Sequence, residues 1–334
     1  MGKKPSLLLT TGVAVLVAVT LSAAGAAADD FEACGETSGE VAIAACTSAI
    51  TSARVKGHLL AALYNNRCNA YHKVGDDGRA IADCNEAIRL DPDYAFPFHN
   101  RGRAYVSKGD LERAIADFDR AIRLDPKYSA AYVDRGHAYE VKDNLVHAFG
   151  DYDRAIDLNP KSAIAFNNRG NVYHAKGDLD HAIADYDRAI ELDPKDATAF
   201  YTRGNSYQTK KDYDRAIADY DQVIELDPQN AAALSSRGLA YARKKDYDRA
   251  IADYDRAIRL DPSNAVAFYN RGSAYYNMRD FERAIADYTQ SIRLKPNDEA
   301  ALYWRGNARR LKGDNVGGDA DVAAAKRINP SIGQ

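Results

Sequence analysis

Apolar and small residues recur along the chain with a spacing that predicts pairs of short amphipathic helices. Within residues 163–194, Phe166, Gly170 and Tyr173 fall at i, i+4 and i+7, which places them on one face of a helix. The following stretch AIADYDRAI, residues 182–190, has its apolar and small positions at i, i+1, i+4, i+7 and i+8. Together the two stretches predict one helix–turn–helix unit.

The same unit repeats every 34 residues. One proline, one glycine and one tyrosine position keep this period. The prolines are Pro92, Pro126, Pro160, Pro194, Pro228, Pro262, Pro296 and Pro330; the glycines are Gly102, Gly136, Gly170, Gly204, Gly238, Gly272 and Gly306; the tyrosines are Tyr71, Tyr105, Tyr139, Tyr173, Tyr207, Tyr241 and Tyr275. The predicted units are 61–94, 95–128, 129–162, 163–196, 197–230, 231–264, 265–298 and 299–332. A period of this length is typical of stacked repeats that share one continuous core.

Turn residues mark where the two helices of each unit begin and end. Gly177 can adopt the left-handed conformation that ends the first helix. Asp178 can cap the second helix through its carboxylate, and this position is Asp in seven units and Asn144 in the other. Leu192 closes the second helix, and Pro194 stops it because proline cannot continue a helix.

These positions resemble those of the tetratricopeptide repeat family. In the fourth unit the family's pattern is met by Gly170, Tyr173, Ala182, Tyr186, Ala189 and Pro194. The resemblance covers residues 61–332 and implies an all-α fold, an α-solenoid of about eight repeats that forms a right-handed superhelix. The sequence departs from the pattern at Cys68 and Cys84 in the first unit and at Arg309, Gly318 and Val322 in the last. Terminal units are often atypical because they cap the stack.

The N-terminal residues have the pattern of a secretory signal peptide. Lys3 and Lys4 precede the uncharged run LLLTTGVAVLVAVTLSAAGAAA, which ends in small residues. We expect residues 1–28 to be a signal peptide that is cleaved after Ala28, and the protein to be periplasmic or secreted. Because the run is long enough to span a bilayer, an uncleaved anchor is the alternative. After cleavage we expect no stable membrane span.

The charge balance and the motifs exclude several classes of function. The formal net charge is −3, so the chain lacks the basic excess of a nucleic-acid-binding protein. It contains no phosphate-binding loop, zinc-protease motif or nucleophile elbow. Four histidines fall on four successive first helices: His72, His99, His137 and His174. Because they would lie at differing depths, we expect no metal site, and we expect no cofactor.

The cysteines all lie near the N-terminus, at Cys34, Cys46, Cys68 and Cys84. An even number of cysteines in an exported protein predicts disulfides, with three connectivities possible. Zinc binding is the alternative, although the spacing contains no Cys-x-x-Cys.

Residues 29–60 are interpreted as an N-terminal capping segment. The stretch GEVAIAACTSAI within it resembles a second helix, with Cys46 at the position of the core tyrosine. Cys34 lies just upstream, so a Cys34–Cys46 disulfide would pin this cap. The resemblance implies a Cys68–Cys84 disulfide, because the family packs these two positions between paired helices. A bond between Cys46 and Cys68 is the rival pairing.

Two aspartates flank the core aromatic of the second helix, Asp185 and Asp187 in the fourth unit. The pair recurs at Asp117/Asp119, Asp151/Asp153, Asp219/Asp221 and Asp253/Asp255. Because a catalytic pair would not occur in five copies, we interpret it as structural and place it on the outward side of the second helix. An arginine recurs at Arg67, Arg101, Arg135, Arg169, Arg203, Arg237, Arg271 and Arg305. Its period suggests an ion pair with aspartates of a neighbouring unit.

Differences among the units point to the first helix as the place of function. The second helices are nearly identical, whereas five first-helix positions vary. In the fourth unit these are Asn167, Asn168, Asn171, His174 and Ala175. We call these five positions, in all units, the first-helix stripe. The family resemblance implies that the stripe lines the concave groove of the superhelix.

The chemistry of the stripe suits an extended peptide, because amide side chains both donate and accept hydrogen bonds. Asparagines at one repeat position would form an interrupted ladder: Asn66, Asn100, Asn168 and Asn270. Aromatic residues would add apolar contacts. The expected binding residues are Asn66, Asn69, Asn100, Asn167, Asn168, Asn171, Tyr201, Asn205, Tyr269, Asn270, Tyr303, Trp304 and Asn307. For each asparagine taken alone, the alternative is an ordinary solvated residue.

The sequence therefore predicts an exported, non-enzymatic scaffold that binds an unidentified protein or peptide and no nucleic acid. A second hypothesis is a self-assembling envelope component. Val322, Ala325 and Ile328 share one face of the last helix and could join two chains into a homo-oligomer if nothing covers them. An enzyme with a composite site is the third.

Overall fold

The computed structural model describes residues 25–52 and 55–333, with side chains from residue 31 onward, and this part of the chain is helical without strands. The helices are α1 (Gly25–Glu36), α2 (Gly39–Ser52), α3 (His58–Lys73), α4 (Asp77–Leu90), α5 (Ala95–Ser107), α6 (Leu111–Leu124), α7 (Ser129–Val141), α8 (Leu145–Leu158), α9 (Ala163–Ala175), α10 (Leu179–Leu192), α11 (Ala197–Thr209), α12 (Tyr213–Leu226), α13 (Ala231–Arg243), α14 (Tyr247–Leu260), α15 (Ala265–Asn277), α16 (Phe281–Leu294), α17 (Glu299–Leu311) and α18 (Asn315–Ile328). Each odd-numbered helix packs against the even-numbered helix that follows it. This succession of packed pairs is the arrangement of an α-solenoid.

The predicted signal peptide falls mostly outside the described residues. Residues 1–24 are not among them, and the expected cleavage point lies within α1. Of the helices that are described, none combines the length and the apolar character needed to cross a membrane.

The chain divides into two compact units between Pro160 and Lys161. We call the described residues up to 160, with α1–α8, the N-terminal half, and residues 161–333, with α9–α18, the C-terminal half. Both disulfides lie in the N-terminal half. One joins α1 to α2 and the other joins α3 to α4, through Cys34–Cys46 and Cys68–Cys84. These are the two pairings that the sequence led us to expect.

Each helix pair turns at a left-handed residue that is followed by a capping residue. Gly177 has φ 80°, its N–H donates to the His174 carbonyl at 2.9 Å, and the Asp178 N–H donates to the Tyr173 carbonyl at 2.9 Å. The Asp178 carboxylate in turn accepts from the His181 N–H at 3.3 Å. The turn predicted from the sequence is therefore confirmed. In four other pairs, a residue with a side chain takes the same positive φ: Asp143, Lys211, Lys245 and Arg279.

The core lies between paired helices, where glycine lets an aromatic ring approach the neighbouring backbone. The side chain of Tyr186 on α10 is 1% exposed. A Cβ added at Gly170 on α9 would lie 2.7 Å from Cε1 of this ring, which is closer than carbon atoms pack. Gly170 therefore permits the close approach of the two helices.

The last helix does not present the apolar face expected from the sequence. On α18, Val322 is 7% exposed and Ala325 is fully buried, and only Ile328 is exposed, at 43%. Val322 packs close to Gly306 on α17. The expected self-assembly face was therefore wrong, because α17 covers two of its three members.

Candidate functional site

A recurring arginine fixes several first helices, and with them the stripe, to two second helices each. Arg203 on α11 donates through Nε and Nη2 to Asp219 on α12, at 3.0 and 2.6 Å. Its Nη1 donates to Asp187 on α10 at 2.6 Å. The same double contact is made by Arg135, Arg237 and Arg271. We call this arrangement the arginine clamp.

The clamp corrects the expected position of the aspartate pair. Asp185 was placed on the outward side of α10, but it is 6% exposed and accepts two hydrogen bonds of 2.8 Å from Arg169. A carboxylate can be buried here because the guanidinium compensates its charge at both oxygens. Only Asp187 is partly open to solvent. The expected partner is corrected too, since every one of these recurring arginines binds an aspartate of its own unit. An aspartate of the preceding unit is bound as well by Arg135, Arg203, Arg237 and Arg271.

Burial and charge pairing oppose each other in the clamp. Burial acts to lower the pKa of Arg203, but the hydrogen bonds and charges of Asp219 and Asp187 outweigh it and raise this pKa above its usual value. Burial raises the pKa of Asp219, and Arg203 counteracts this shift. We infer an ionised pair at neutral pH, in which the attraction offsets the cost of removing both charges from water.

In the N-terminal half, stripe residues on neighbouring first helices bind each other. Nδ2 of Asn100 on α5 donates to Oδ1 of Asn65 on α3 at 2.9 Å. Nε2 of His99 lies 2.7 Å from a carboxylate oxygen of Asp134 on α7, and its Nδ1 lies 2.8 Å from the Tyr128 hydroxyl. Asn100 and His99 are 9% and 5% exposed. Asn100, expected in the binding ladder, is instead a buried link between helices.

The same kind of link occurs in the C-terminal half. The Thr202 hydroxyl on α11 donates to Oδ1 of Asn167 on α9 at 2.9 Å. The Tyr201 hydroxyl lies 3.2 Å from the Ser236 hydroxyl on α13. Asn167 is 6% exposed, so it too serves helix packing. Tyr201 is half-buried and leans toward the next repeat.

Two further asparagines on the stripe use only their oxygen atoms within the protein. Oδ1 of Asn171 accepts from the Tyr186 hydroxyl at 2.9 Å, and Oδ1 of Asn205 accepts from the Tyr220 hydroxyl at 2.8 Å. Their amide NH₂ groups have no acceptor among the residues that the structure describes. These donors remain available to a ligand.

Other amides on the stripe are less engaged. Asn168, Asn270 and Asn307 are half-buried, and their side chains make no hydrogen bond within residues 25–52 and 55–333. In the N-terminal half, Asn66 and Asn69 each accept one long hydrogen bond of 3.4 Å. The unused amide capacity of the expected site is therefore concentrated in the C-terminal half.

Aromatic rings cluster on the stripe near the C-terminus. The Trp304 ring lies edge-to-face with Tyr276 and Tyr303, with centroids 5.2 and 5.5 Å apart. Trp304 is 37% exposed. Tyr269 packs against Tyr288 at 5.7 Å. The expected apolar contacts of the site thus lie on neighbouring helices, and Tyr276 joins them although the sequence did not single it out.

The charges on the stripe differ between the halves. In the N-terminal half, Asp134 is paired with His99, and Glu140 accepts from a tyrosine hydroxyl at 2.7 Å. The stripe of α9, α11, α13, α15 and α17 contains no Asp or Glu. Its cations are Arg243 and Arg310, and Arg310 is bound to Asp319 at 2.6 Å. Arg243 is exposed and has no ion-pair or hydrogen-bond partner in the described part of the chain.

Reasoning from the sequence treated every stripe residue as open to a ligand, and so it missed the links between first helices. The signal was a complementary pair of polar residues 35 positions apart, such as His99 and Asp134. It also assigned no function to Arg243, because one cation among amides has no periodic signature.

Family comparisons agree with this architecture. Models described as tetratricopeptide repeat match residues 61–94, 201–265 and 240–305, and a model described as TPR repeat matches residues 102–142, 148–177 and 170–211. Together these matches cover more than half of the chain. The chain therefore belongs to the tetratricopeptide repeat family. It is a repeat scaffold of the kind that supports protein–protein interaction.

Several solved structures share the fold. A chain of the APC/C hetero-tetramer Cut9–Hcn1 is 19% identical with a TM-score of 0.64, and the alignment covers 80% of this chain but only 52% of that one. A tetratricopeptide repeat protein from Parabacteroides merdae is 21% identical with a TM-score of 0.56, and the alignment covers 71% of this chain and 94% of that one. The structure of pilF from Pseudomonas aeruginosa is 18% identical with a TM-score of 0.55, and the alignment covers 61% of this chain and 92% of that one. No curated protein sequence matches the chain.

Proposed function

We propose that this protein is an exported scaffold that binds an extended segment of a partner protein along the first-helix stripe of its C-terminal half. The observation that carries the proposal is the unused amide capacity of Asn168, Asn270 and Asn307 on the same stripe as the exposed ring of Trp304. Amides can pair with the N–H and C=O groups of an extended backbone whatever its sequence. The aromatic rings can bury one or two of its side chains.

The clamps support this proposal by holding the binding surface in advance. Arg203, Arg237 and Arg271 each tie a first helix of the C-terminal half to two second helices, so this part of the stripe is ordered before a ligand arrives. A preorganised surface loses little conformational entropy on binding. The proposed interaction therefore needs no rearrangement of the repeat backbone.

Export is the second part of the proposal. It is supported by the basic, apolar and small-residue order of residues 1–28. It is also supported by two disulfides, which persist in oxidising compartments. If it is correct, protein recovered from the cell envelope or the medium has Asp29 as its first residue in N-terminal mass spectrometry. Recovery of the intact N-terminus in the cytoplasmic fraction would contradict export.

Site-specific photo-crosslinking tests the binding surface. A photo-crosslinking amino acid replaces Asn168 on the stripe, and in a matched variant it replaces Ala184, which is exposed on α10. We expect partner capture from position 168 and none from position 184. Changing Asn270 and Trp304 to Ala in the variant labelled at position 168 should abolish capture, because both lie on the same stripe.

Equal capture from both positions would show that the stripe is not the contact surface. Capture that survives the Asn270 and Trp304 changes would exclude the C-terminal stripe as a continuous site. Circular dichroism of each variant verifies that the repeats remain folded.

A further inference from the structure

Buried polar atoms without a partner are concentrated at the C-terminal stripe. In the part of the chain that the structure describes, four buried side-chain atoms make no hydrogen bond: His174 Nε2, Ser235 Oγ, Tyr254 Oη and Ser291 Oγ. His174 and Ser235 are stripe residues on α9 and α13, and Tyr254 on α14 packs beneath the stripe of α13. Because buried polar groups are nearly always paired, such a concentration is unusual.

Helix α13 lacks a hydrogen-bond acceptor that the first helices α9 and α11 provide. In α10 and α12, the equivalent tyrosine hydroxyl is satisfied by Asn171 or Asn205. At the corresponding position α13 has Leu239, so the Tyr254 hydroxyl has no acceptor and is fully buried. The hydroxyl of Ser235, one turn earlier on α13, has none either. Around α13 the structure therefore places hydroxyl donors that lack an acceptor.

Arg243 adds an uncompensated positive charge to the same helix. Burial raises the pKa of Tyr254, and the charge of Arg243 acts in the opposite direction on this hydroxyl and on Tyr269 of α15. The guanidinium therefore lies close enough to influence both rings. On the stripe of α9, α11, α13, α15 and α17 it is the one cation without a partner among the described residues. The helix carries an unpartnered positive charge, and the stripe of this half has no Asp or Glu, so the stripe at α13 is complementary to an anion. The acids that act on the same two rings, Asp253 and Asp298, lie on α14 and at the start of α17, off the stripe.

The next two first helices provide the apolar part of the surface. Helix α13 packs directly against α15, and α15 against α17. Tyr269 and Tyr276 lie on α15, and Trp304 lies on α17. Packed helices are about 9 Å apart and an extended chain advances about 3.3 Å per residue, so one helix step corresponds to about three peptide residues.

We propose that α13 binds an acidic side chain of the partner segment through Arg243, while an aromatic or large aliphatic residue about three positions away packs against Tyr269 and Tyr276 of α15. The inference rests on the proposed function, since it names the kind of segment that the same stripe selects. The charge of the acid neutralises Arg243. The apolar residue packs against the rings of α15 next to Trp304, whose ring lies 5.2 Å from that of Tyr276.

Selection from a random library of short capped peptides tests this preference. The bait is the full-length chain, purified in the form that the expressing cell processes. We expect the enriched peptides to share Asp or Glu about three residues from Phe, Tyr, Trp or Leu. Capping both peptide termini ensures that any acid preference comes from side chains.

Variants at Arg243 then test whether this arginine is the residue that contacts the acidic side chain of the peptide. Arg243→Gln should weaken the binding of an enriched peptide by about three- to tenfold, the range for a charge pair at a partly exposed site. Arg243→Glu should turn the selection toward Lys or Arg. The matched control is Arg259→Gln, which removes an exposed arginine from α14, away from the stripe, and should leave affinity unchanged.

The outcomes separate the two proposals. If peptides are enriched and lose affinity in an Asn168→Ala, Asn270→Ala variant, but show no acid preference and ignore both Arg243 changes, the inference is wrong and the proposed function stands. If no peptide is enriched, or if enriched peptides bind the Asn168, Asn270 and Arg243 variants as well as the parent, the proposed function fails and the inference fails with it.

Discussion

At the scale of single residues, the arginine clamp removes charged groups from water and depends on each of them being paired. Arg203 brings two carboxylates together around one partly buried guanidinium. Asp219 is 4% exposed, and the guanidinium of Arg203 is the main group that compensates its negative charge. Removing the arginine would therefore leave a buried charge without compensation, whereas removing an exposed arginine would not.

We expect Arg203→Ala to lower the free energy of unfolding by about 2–4 kcal/mol, between the values for exposed and fully buried pairs. Arg203→Lys keeps the charge but cannot contact both oxygens of Asp219 at once, so it should lose part of this stability. Denaturant unfolding followed by circular dichroism measures both variants. Arg259→Ala is the control and should stay within about 0.5 kcal/mol of the parent. An Arg203→Ala variant as stable as this control would refute the clamp.

A second prediction concerns the unpaired hydroxyl of Tyr254. Because this hydroxyl has no partner, Tyr254→Phe should leave stability unchanged or raise it by up to about 1 kcal/mol. Tyr220→Phe removes a hydroxyl that donates to Asn205 at 2.8 Å and should cost about 1 kcal/mol. Tyr220 and Tyr254 occupy the same position of the repeat, so the two variants form a matched pair for denaturant unfolding. A larger loss at position 254 than at position 220 would show that the Tyr254 hydroxyl has a partner in solution.

Residue-level pairing is where reasoning from the sequence reached its limit. The close contact of Gly170 with Tyr186 could be predicted, because periodicity places small and large residues on facing helix surfaces. The burial of Asp185 and the link between Asn100 and Asn65 could not. The link between Asn100 and Asn65 depends on how far one unit is rotated against the next, and a repeat length of 34 residues does not specify that rotation. The burial of Asp185 depends on its pairing with the recurring arginine of the same unit, which hydrophobic periodicity does not reveal.

At the scale of the element, the turn between paired helices was predictable because its chemistry is local. Glycine and an aspartate cap are neighbours in the sequence, and the hydrogen bonds at Gly177 and Asp178 involve only residues within one turn. The sequence did not reveal that Lys245 and Lys211 adopt the same left-handed conformation. In these pairs the surrounding helices impose a backbone shape that lysine disfavours.

We therefore expect Lys245→Gly to raise the free energy of unfolding by about 0.5–1 kcal/mol, since glycine has no Cβ to clash at φ 65°. Gly177→Ala, at the equivalent turn in α9–α10, should lower it by about 1 kcal/mol for the same reason. Thermal unfolding of both variants measures the two shifts. Shifts of the same sign would mean that backbone conformation does not govern these turns.

At the scale of the whole molecule, the two disulfides concentrate covalent support at one end of the array. Cys34–Cys46 and Cys68–Cys84 span 12 and 16 residues and tie α1 to α2 and α3 to α4. In a repeat protein each unit contacts only its neighbours, so a local loss of stability need not spread along the chain. The N-terminal pairs should therefore respond to reduction independently of distant repeats.

Reduction with a thiol should destabilise α1–α4 by about 3 kcal/mol per disulfide, the value for loops of this length. Amide hydrogen exchange read by mass spectrometry is the measurement, because it reports each helix separately. Exchange should accelerate in α1–α4 and stay unchanged in α13–α18. A variant with all four cysteines changed to Ser should reproduce the effect without reductant. Uniform acceleration along the chain would instead indicate a single cooperative unit.

The clamp also differs between the interior and the ends of the array. Interior arginines bind an aspartate of the preceding unit, as Arg203 binds Asp187. Near the termini this partner is neutral: Thr47 for Arg67, Asn85 for Arg101 and Thr289 for Arg305. The paired charges are therefore a property of the interior units.

This difference bears on how such a gene can change over time. An interior unit carries its own arginine and both aspartates, so a duplicated copy inserted beside it meets a matching partner on either side. Unequal recombination between the coding segments of such units can then lengthen or shorten the array by whole units without leaving an ionic group unmatched. The terminal units, with neutral partners, lack this freedom. Interior copy number is thus the variable that the clamps leave free, and under the proposed function it sets the length of segment that the stripe holds.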